Sequence, residues 1–313
     1  MTGPVLVTGA SGFAGGHLVE HLAPTHDIVA FTRSAPPPEL ARLARWERVD
    51  LLDRDRVRAA IAAVRPAQVY HCAGMAHVAE SWRDTAGVLE GNVRATEHLF
   101  DALHRNGVAC RVLVTGSSSV YATSNQPIDE DHRLAPASPY ALSKLAQEAL
   151  ALRAVDEDGL DVVLTRSFNH TGPRQTPAFV APSMARQIAL IEAGAIEPVI
   201  RVGNLDARRE LTDVRDVVRA YAALMTSGER GVIYNVGSGT SRTIRSVLDA
   251  LLSRSKVPVR IESDPSRMRP ADVPVLEANS SRLEHRTGWR PAIPFDQMLD
   301  DLMAYWRRNA RTD

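Results

Sequence analysis

Val5-Leu6-Val7-Thr8-Gly9-Ala10-Ser11-Gly12-Phe13-Ala14-Gly15 lies almost at the start of a 313-residue chain. Its first four residues form an apolar, β-branched run. Its last three open an apolar-spaced segment that reaches Leu22, and glycines at spacing three and three join the two parts. That order predicts a strand, a tight turn and a helix. Gly9 permits the turn, Gly12 lets backbone approach a pyrophosphate, and Gly15 lets the helix pack closely on the strand. The helix N-terminus then attracts the anion. Turns are glycine-rich for many reasons; the strand–turn–helix setting is what marks this one as a dinucleotide site.

Outward from that loop the alternation continues. Strands are predicted at 28–31, 68–71, 111–115 and 161–166, with helices at 55–64, 91–105 and 139–154 between them. Val112-Leu113-Val114 and Val162-Val163-Leu164 are continuous apolar runs, as expected of parallel strands buried on both faces. The fold class is therefore α/β: a Rossmann-like, doubly wound parallel sheet. Beyond residue 167 prolines at 173, 177, 182 and 198 loosen the pattern. Helices are expected at 183–193, 213–225, 244–252 and 295–306, and a strand at 233–236. The expected division is a cofactor domain at 1–167, which also receives about 214–240, and a smaller, irregular substrate domain at 168–313.

Composition narrows the class. Lys+Arg and Asp+Glu both total 37, so the chain is formally neutral and lacks the basic footprint of a nucleic-acid binder. At 44% hydrophobic and 24% charged it has the makings of an ordinary globular core. No apolar run approaches 18 residues, so no membrane span is expected. Cys72 and Cys110 give neither a metal spacing nor a disulfide framework, and no signal-peptide pattern precedes Val5. The expected compartment is the cytoplasm, and no metal site is expected.

The cofactor is selected at the end of the second strand. An NAD enzyme places Asp or Glu there for the ribose 2′-hydroxyl. Here the chain reads Phe31-Thr32-Arg33-Ser34, with no acid. Arg33 can pair with a 2′-phosphate and Ser34 can donate to it, which favours NADP(H) over the plainer reading of Arg33 as a solvated surface residue.

Tyr140-Ala141-Leu142-Ser143-Lys144 sets a phenol and an ammonium one helical turn apart. A tyrosine near pKa 10 exchanges protons poorly at neutral pH, and a fixed positive charge beside it lowers that value. Ser117 follows the 111–115 run, at the strand ends where open α/β sheets bind ligands.

With these residues the sequence resembles the short-chain dehydrogenase/reductase superfamily in its extended, nucleotide-sugar branch, along the whole chain. The matching positions are the Gly9/Gly12/Gly15 loop, Asp50-Leu51, Ala73-Gly74, Ser117 and Tyr140-x-x-x-Lys144. The resemblance implies that Tyr140 is the general acid, that Lys144 tunes it and holds the nicotinamide ribose, and that Ser117 bonds the reacting oxygen. It also implies cofactor contacts from Gly9, Gly12, Phe13, Ala14, Gly15, Arg33, Ser34, Asp50, Leu51, Ala73 and Gly74. Asp50 would hold the adenine amino group, although Asp53 is the better local helix cap.

Three later segments are similar to the GDP-mannose 4,6-dehydratase and GDP-4-keto-6-deoxy-D-mannose reductase group: Phe168-Asn169-His170-Thr171-Gly172-Pro173, residues 203–210, and residues 264–270. By that similarity Asn169, Arg209 and Arg269 contact a nucleotide diphosphate, with Ser117 and Ser118 at the sugar. The implied activity is NADPH-dependent reduction of a GDP-4-keto-6-deoxy-hexose. A dehydratase or epimerase of the same fold and a non-catalytic NADP-binding sensor are the alternatives. The family also implies a homodimer built on a four-helix bundle, for which Leu99, Leu103, Leu145 and Leu152 are the expected apolar stripe.

Overall fold

A computed structural model describes residues 3–267 and 276–310. Its centre is a seven-stranded sheet. The strands are β1 (Val5–Thr8), β2 (Ile28–Thr32), β3 (Arg45–Arg48), β4 (Gln68–His71), β5 (Arg111–Ser117), β6 (Asp161–Ser167) and the strand Ile233–Val236. From one edge to the other they run Ile233–Val236, β6, β5, β4, β1, β2, β3, with every neighbouring pair parallel. The winding reverses between β1 and β4, so a crevice opens at the C-terminal ends of those two strands.

Alternation along the strands divides the core into two layers. Leu6, Val112 and Val114 face helices Arg54–Val64, Ala95–Arg105 and Pro139–Asp156. Val5, Val7 and Leu113 face helices Phe13–Leu22 and Val214–Ser227. Leu6 and Leu113 are wholly buried, each stabilising the fold by about 1.5–3 kcal/mol relative to an exposed side chain. A third cluster joins helices Val180–Glu192, Ile244–Leu252 and Phe295–Asn309 to the strand Val199–Val202. Short strand pairs complete this smaller part: Val199–Val202 with Arg260–Ser263, Arg208–Glu210 with Ser241–Thr243, and His170–Thr171 with Thr212–Asp213.

Three expectations are corrected. β3 was not foreseen, because Arg45-Trp46-Glu47-Arg48 is charged; it forms an edge strand, where charge discourages pairing with other chains. The expected helix at 91–105 begins at Thr85 and is interrupted by a π turn at Glu90–Arg94. Half of the expected dimer stripe faces inward, and the other half is only partly covered. Leu99 and Leu103 are fully buried in the chain's own core, Leu152 packs against the same cluster, and Leu145 packs beside Tyr121 and Phe168. The apolar side chains left outward in this region are Trp82, 65% exposed, and Leu142, 50% exposed.

Helix Pro139–Asp156 is fixed at both ends of its inner face. Ser138 caps it by accepting from the Ala141 amide. Further along, buried Glu148 receives a two-pronged bond from buried Arg166 of β6, at 2.8 and 2.6 Å. Arg166 also donates to the Tyr121 hydroxyl and the Glu130 carbonyl. Removing one member of such a buried pair costs about 3–5 kcal/mol, so the helix is held to the sheet in one position.

Candidate active site

The glycine loop is shaped as the spacing requires. Gly9 has φ +64°, and a Cβ there would come 2.7 Å from the Ala73 backbone. A Cβ on Gly15 would fall 2.2 Å from the Gly9 carbonyl oxygen. The Gly12 amide donates to that same oxygen at 2.9 Å, closing the turn in front of helix Phe13–Leu22. A loop whose side chains are excluded on both sides, ahead of a helix N-terminus, fits a dinucleotide pyrophosphate. Phe13 stacks on His170 at 5.8 Å, tying the loop to the 168–173 segment, and Ala14 follows it half-buried in the first helical turn.

At the end of β2, Arg33 and Ser34 are exposed. The Ser34 amide donates to the Thr32 hydroxyl, which in turn donates to Ser11 of the glycine loop. Arg33 has no hydrogen-bond or ion-pair partner among the described residues. Asp50 is exposed after β3 and accepts from the Leu52 amide, beside buried Leu51, while Asp53 caps helix Arg54–Val64. Ala73 and Gly74 leave β4 at the crevice; the Ala73 amide donates to Thr8, and the Asn92 amide oxygen receives the Met75 amide. The π turn brings Asn92 inward, where its Nδ2 also donates to Ser143 on the Tyr140 helix.

Ser117, Tyr140 and Lys144 meet at the C-terminal end of β5. The Ser117 hydroxyl receives the Ser119 amide at 3.2 Å and contacts the Ser119 hydroxyl at 2.9 Å, on the side of the site where Tyr140 lies. Burial raises the Tyr140 pKa, and the Ser117 hydroxyl works against that rise. Lys144 is held one helical turn from Tyr140. Its ammonium donates to the Thr115 carbonyl and to Gln147, both at 2.6 Å, rather than to Tyr140. Burial lowers its pKa to about 8.

The other expected contacts are spread more widely. Ser118 is buried within its turn, only 4% exposed, which leaves it less access to a ligand than its neighbours. Asn169 is exposed, its carbonyl accepting from Thr212. Arg209 lies half-buried on the Arg208–Glu210 strand. Arg269 lies outside the described residues. Among the described residues no cluster of His, Cys, Asp and Glu is arranged to hold a metal ion, and no helix is long and apolar enough to cross a membrane. Position gave no hint of Asn92, Thr96 or Gln147, which pack around the site from different elements.

A doubly wound parallel sheet with a glycine loop at its switch point and a Ser, Tyr, Lys cluster around the end of β5 defines a short-chain dehydrogenase/reductase. The chain belongs to the GDP-mannose 4,6 dehydratase family, whose model matches residues 6–302. It is 37% identical to GDP-6-deoxy-D-mannose reductase of Pseudomonas aeruginosa, over 100% of both chains. It is 32% identical to dTDP-glucose 4,6-dehydratase of Streptomyces griseus, over 99% of this chain and 95% of that one. Among solved structures, RMD from Pseudomonas aeruginosa complexed with NADPH superposes with a TM-score of 0.87 at 35% identity, covering 98% of this chain and 100% of that one.

Proposed function

We propose that this protein is an NADPH-dependent reductase of the C4 keto group of GDP-4-keto-6-deoxy-D-mannose, forming GDP-D-rhamnose or its C4 epimer. The observation that carries this reading is the Ser117–Tyr140–Lys144 site followed by Ser118 and Ser119. Dehydration at C5–C6 needs an acid and a base, which the family's dehydratases supply from carboxyl side chains at those two positions. A serine hydroxyl has no accessible pKa near neutrality and can supply neither. The full-length likeness to a GDP-6-deoxy-D-mannose reductase supports the same choice.

Bound NADPH supplies the hydride that reduces C4. Tyr140, kept protonated by burial, gives its proton to the C4 oxygen as charge develops there. Ser117, oriented by the Ser119 amide, donates a hydrogen bond to the same oxygen. Lys144 is charged below about pH 8 and stabilises the phenolate that Tyr140 leaves behind. Asn169, Arg209 and Arg269 are the proposed diphosphate contacts, and bidentate guanidinium geometry suits that role.

The test is direct. Purified protein should leave GDP-mannose unchanged and oxidise NADPH when given GDP-4-keto-6-deoxy-D-mannose. Formation of a 4-keto sugar from GDP-mannose would overturn the reading. The working picture also includes a cytoplasmic location and a cofactor part formed by 1–167 with about 214–240. A homodimer belongs to it as well, with the contact moved to the outward face around Trp82 and Leu142, since large exposed apolar side chains favour burial against a partner. Light scattering at micromolar concentration should give twice the 34.1 kDa chain mass, and a monomer mass would remove the dimer from this picture.

A further inference from the structure

Lys144 is the inner end of a buried hydrogen-bond chain that runs along one face of the sheet to the ends of β4 and β1. Its ammonium donates to Gln147 Oε1, and Gln147 Nε2 donates to Thr96 Oγ1 at 2.7 Å. The Thr96 hydroxyl spends its single proton on the Asn92 carbonyl at 2.6 Å, so towards His71 it can only accept. His71 Nε2 therefore carries the proton of the 2.8 Å contact with Thr96. Its Nδ1 then accepts from the Thr8 hydroxyl at 2.8 Å, and Thr8 receives the Ala73 amide. Thr8, His71 and Thr96 are fully buried, Gln147 is 1% exposed and Lys144 6%. Every proton in the chain has one direction, and the neutral amide of Gln147 is its side-chain link to the charged lysine.

We propose that Gln147 is the positioning residue of this site. It holds the Lys144 ammonium on the Thr115 side of the crevice, and through Thr96 and His71 it ties that position to the β1 and β4 ends that shape the dinucleotide crevice. The proposal rests on the catalytic role given to Lys144 above. The arrangement leaves Gln147 as the side chain that sets how strongly the lysine keeps its proton. The titratable groups acting on Lys144 are His71 at the end of β4 and Cys72 just after it. Burial and the Lys144 charge hold His71 neutral, with a pKa of about 3, and burial pushes the Cys72 thiol up to about 12. Neither carries charge near neutrality, and no carboxylate acts on the lysine.

Lys144 and Lys256 are the only lysines in the chain, so protein labelled with ε-13C lysine gives two resonances, assigned with a Lys256→Arg variant. The Lys144 signal should titrate with a midpoint near 8. Gln147→Leu removes an acceptor from the charged form and should lower that midpoint by about one pH unit; Gln147→Glu adds a negative partner and should raise it by about as much. Thr96→Val frees the outer end of Gln147 and should move the midpoint the same way as Gln147→Leu, which keeps the test available if the leucine variant does not fold. Midpoints that stay within about 0.2 of the parent, or that move in one direction for both Gln147 variants, overturn the proposal. The measurement is made on the free protein. A set of opposite shifts without NADPH oxidation on any keto sugar would therefore sink the reductase reading and leave this assignment standing.

Discussion

Tyr140→Phe should lower kcat for keto-sugar reduction by about 10²–10⁴-fold, the range over which a positioned general acid contributes. The substitution removes one oxygen and keeps the ring, so the packing of helix Pro139–Asp156 is retained. Its anchors, the Ser138 cap and the Glu148–Arg166 pair, lie elsewhere. The NADPH dissociation constant should stay within about twofold, because the ring remains and the glycine loop is untouched. Loss of the phenol also leaves Ser117 with Ser119 as its neighbour, which can hold a hydrogen bond but cannot replace a proton. Stopped-flow measurement of NADPH oxidation checks both halves. Turnover within tenfold of the parent would mean that the proton comes from another group.

Arg33→Asp should reverse the cofactor preference, moving the NADPH-to-NADH ratio of kcat/KM by about 10²-fold. Arg33 is exposed at the end of β2, where a 2′-phosphate would lie, and nothing among the described residues competes for its charge. A charge-assisted hydrogen bond is worth about 1.5–3 kcal/mol, and a carboxylate in its place adds about 1 kcal/mol of repulsion even in water. At about 1.4 kcal/mol per tenfold these reach two orders of magnitude. The effect is electrostatic at an exposed site, so it should shrink as salt is raised. Initial rates with each cofactor are the measurement; an unchanged ratio would remove Arg33 as the selector.

Local signals carried most of what the sequence disclosed. The glycine loop is contiguous, its spacing is dictated by backbone clearance, and the collisions at Gly9 and Gly15 are the physical form of that rule. Buried parallel strands such as β5 and β6 announce themselves by unbroken apolar runs. Tyr140 and Lys144 lie one helical turn apart, so their common face follows from helix geometry alone. What was hidden depends on distant partners. His71 meets Thr8 63 positions away and Thr96 25 positions away, and Gln147 meets Thr96 across 51. No periodicity encodes such contacts, so the buried chain from Lys144 to Thr8 could not be read from the sequence. Leu99 and Leu103 mark the opposite limit: an apolar stripe says that something covers it, and here the chain's own sheet does.

The strand order also governs how the protein can be made. β6 pairs on one side with β5 and on the other with Ile233–Val236, which is synthesised roughly 65 residues later. At about 5–20 residues per second, a growing chain holds β6 as a bare edge for roughly 3–13 s. During that interval Val162, Val163 and Leu164 offer unpaired backbone beside apolar side chains, the combination that recruits other unfinished chains. The sheet is closed late and from the C-terminal side. Chains cut short before Ile233 therefore lose the closing strand and with it the shield over β6, which makes truncated products of this protein candidates for aggregation and for chaperone capture even though both glycine loop and Tyr140 helix are already complete.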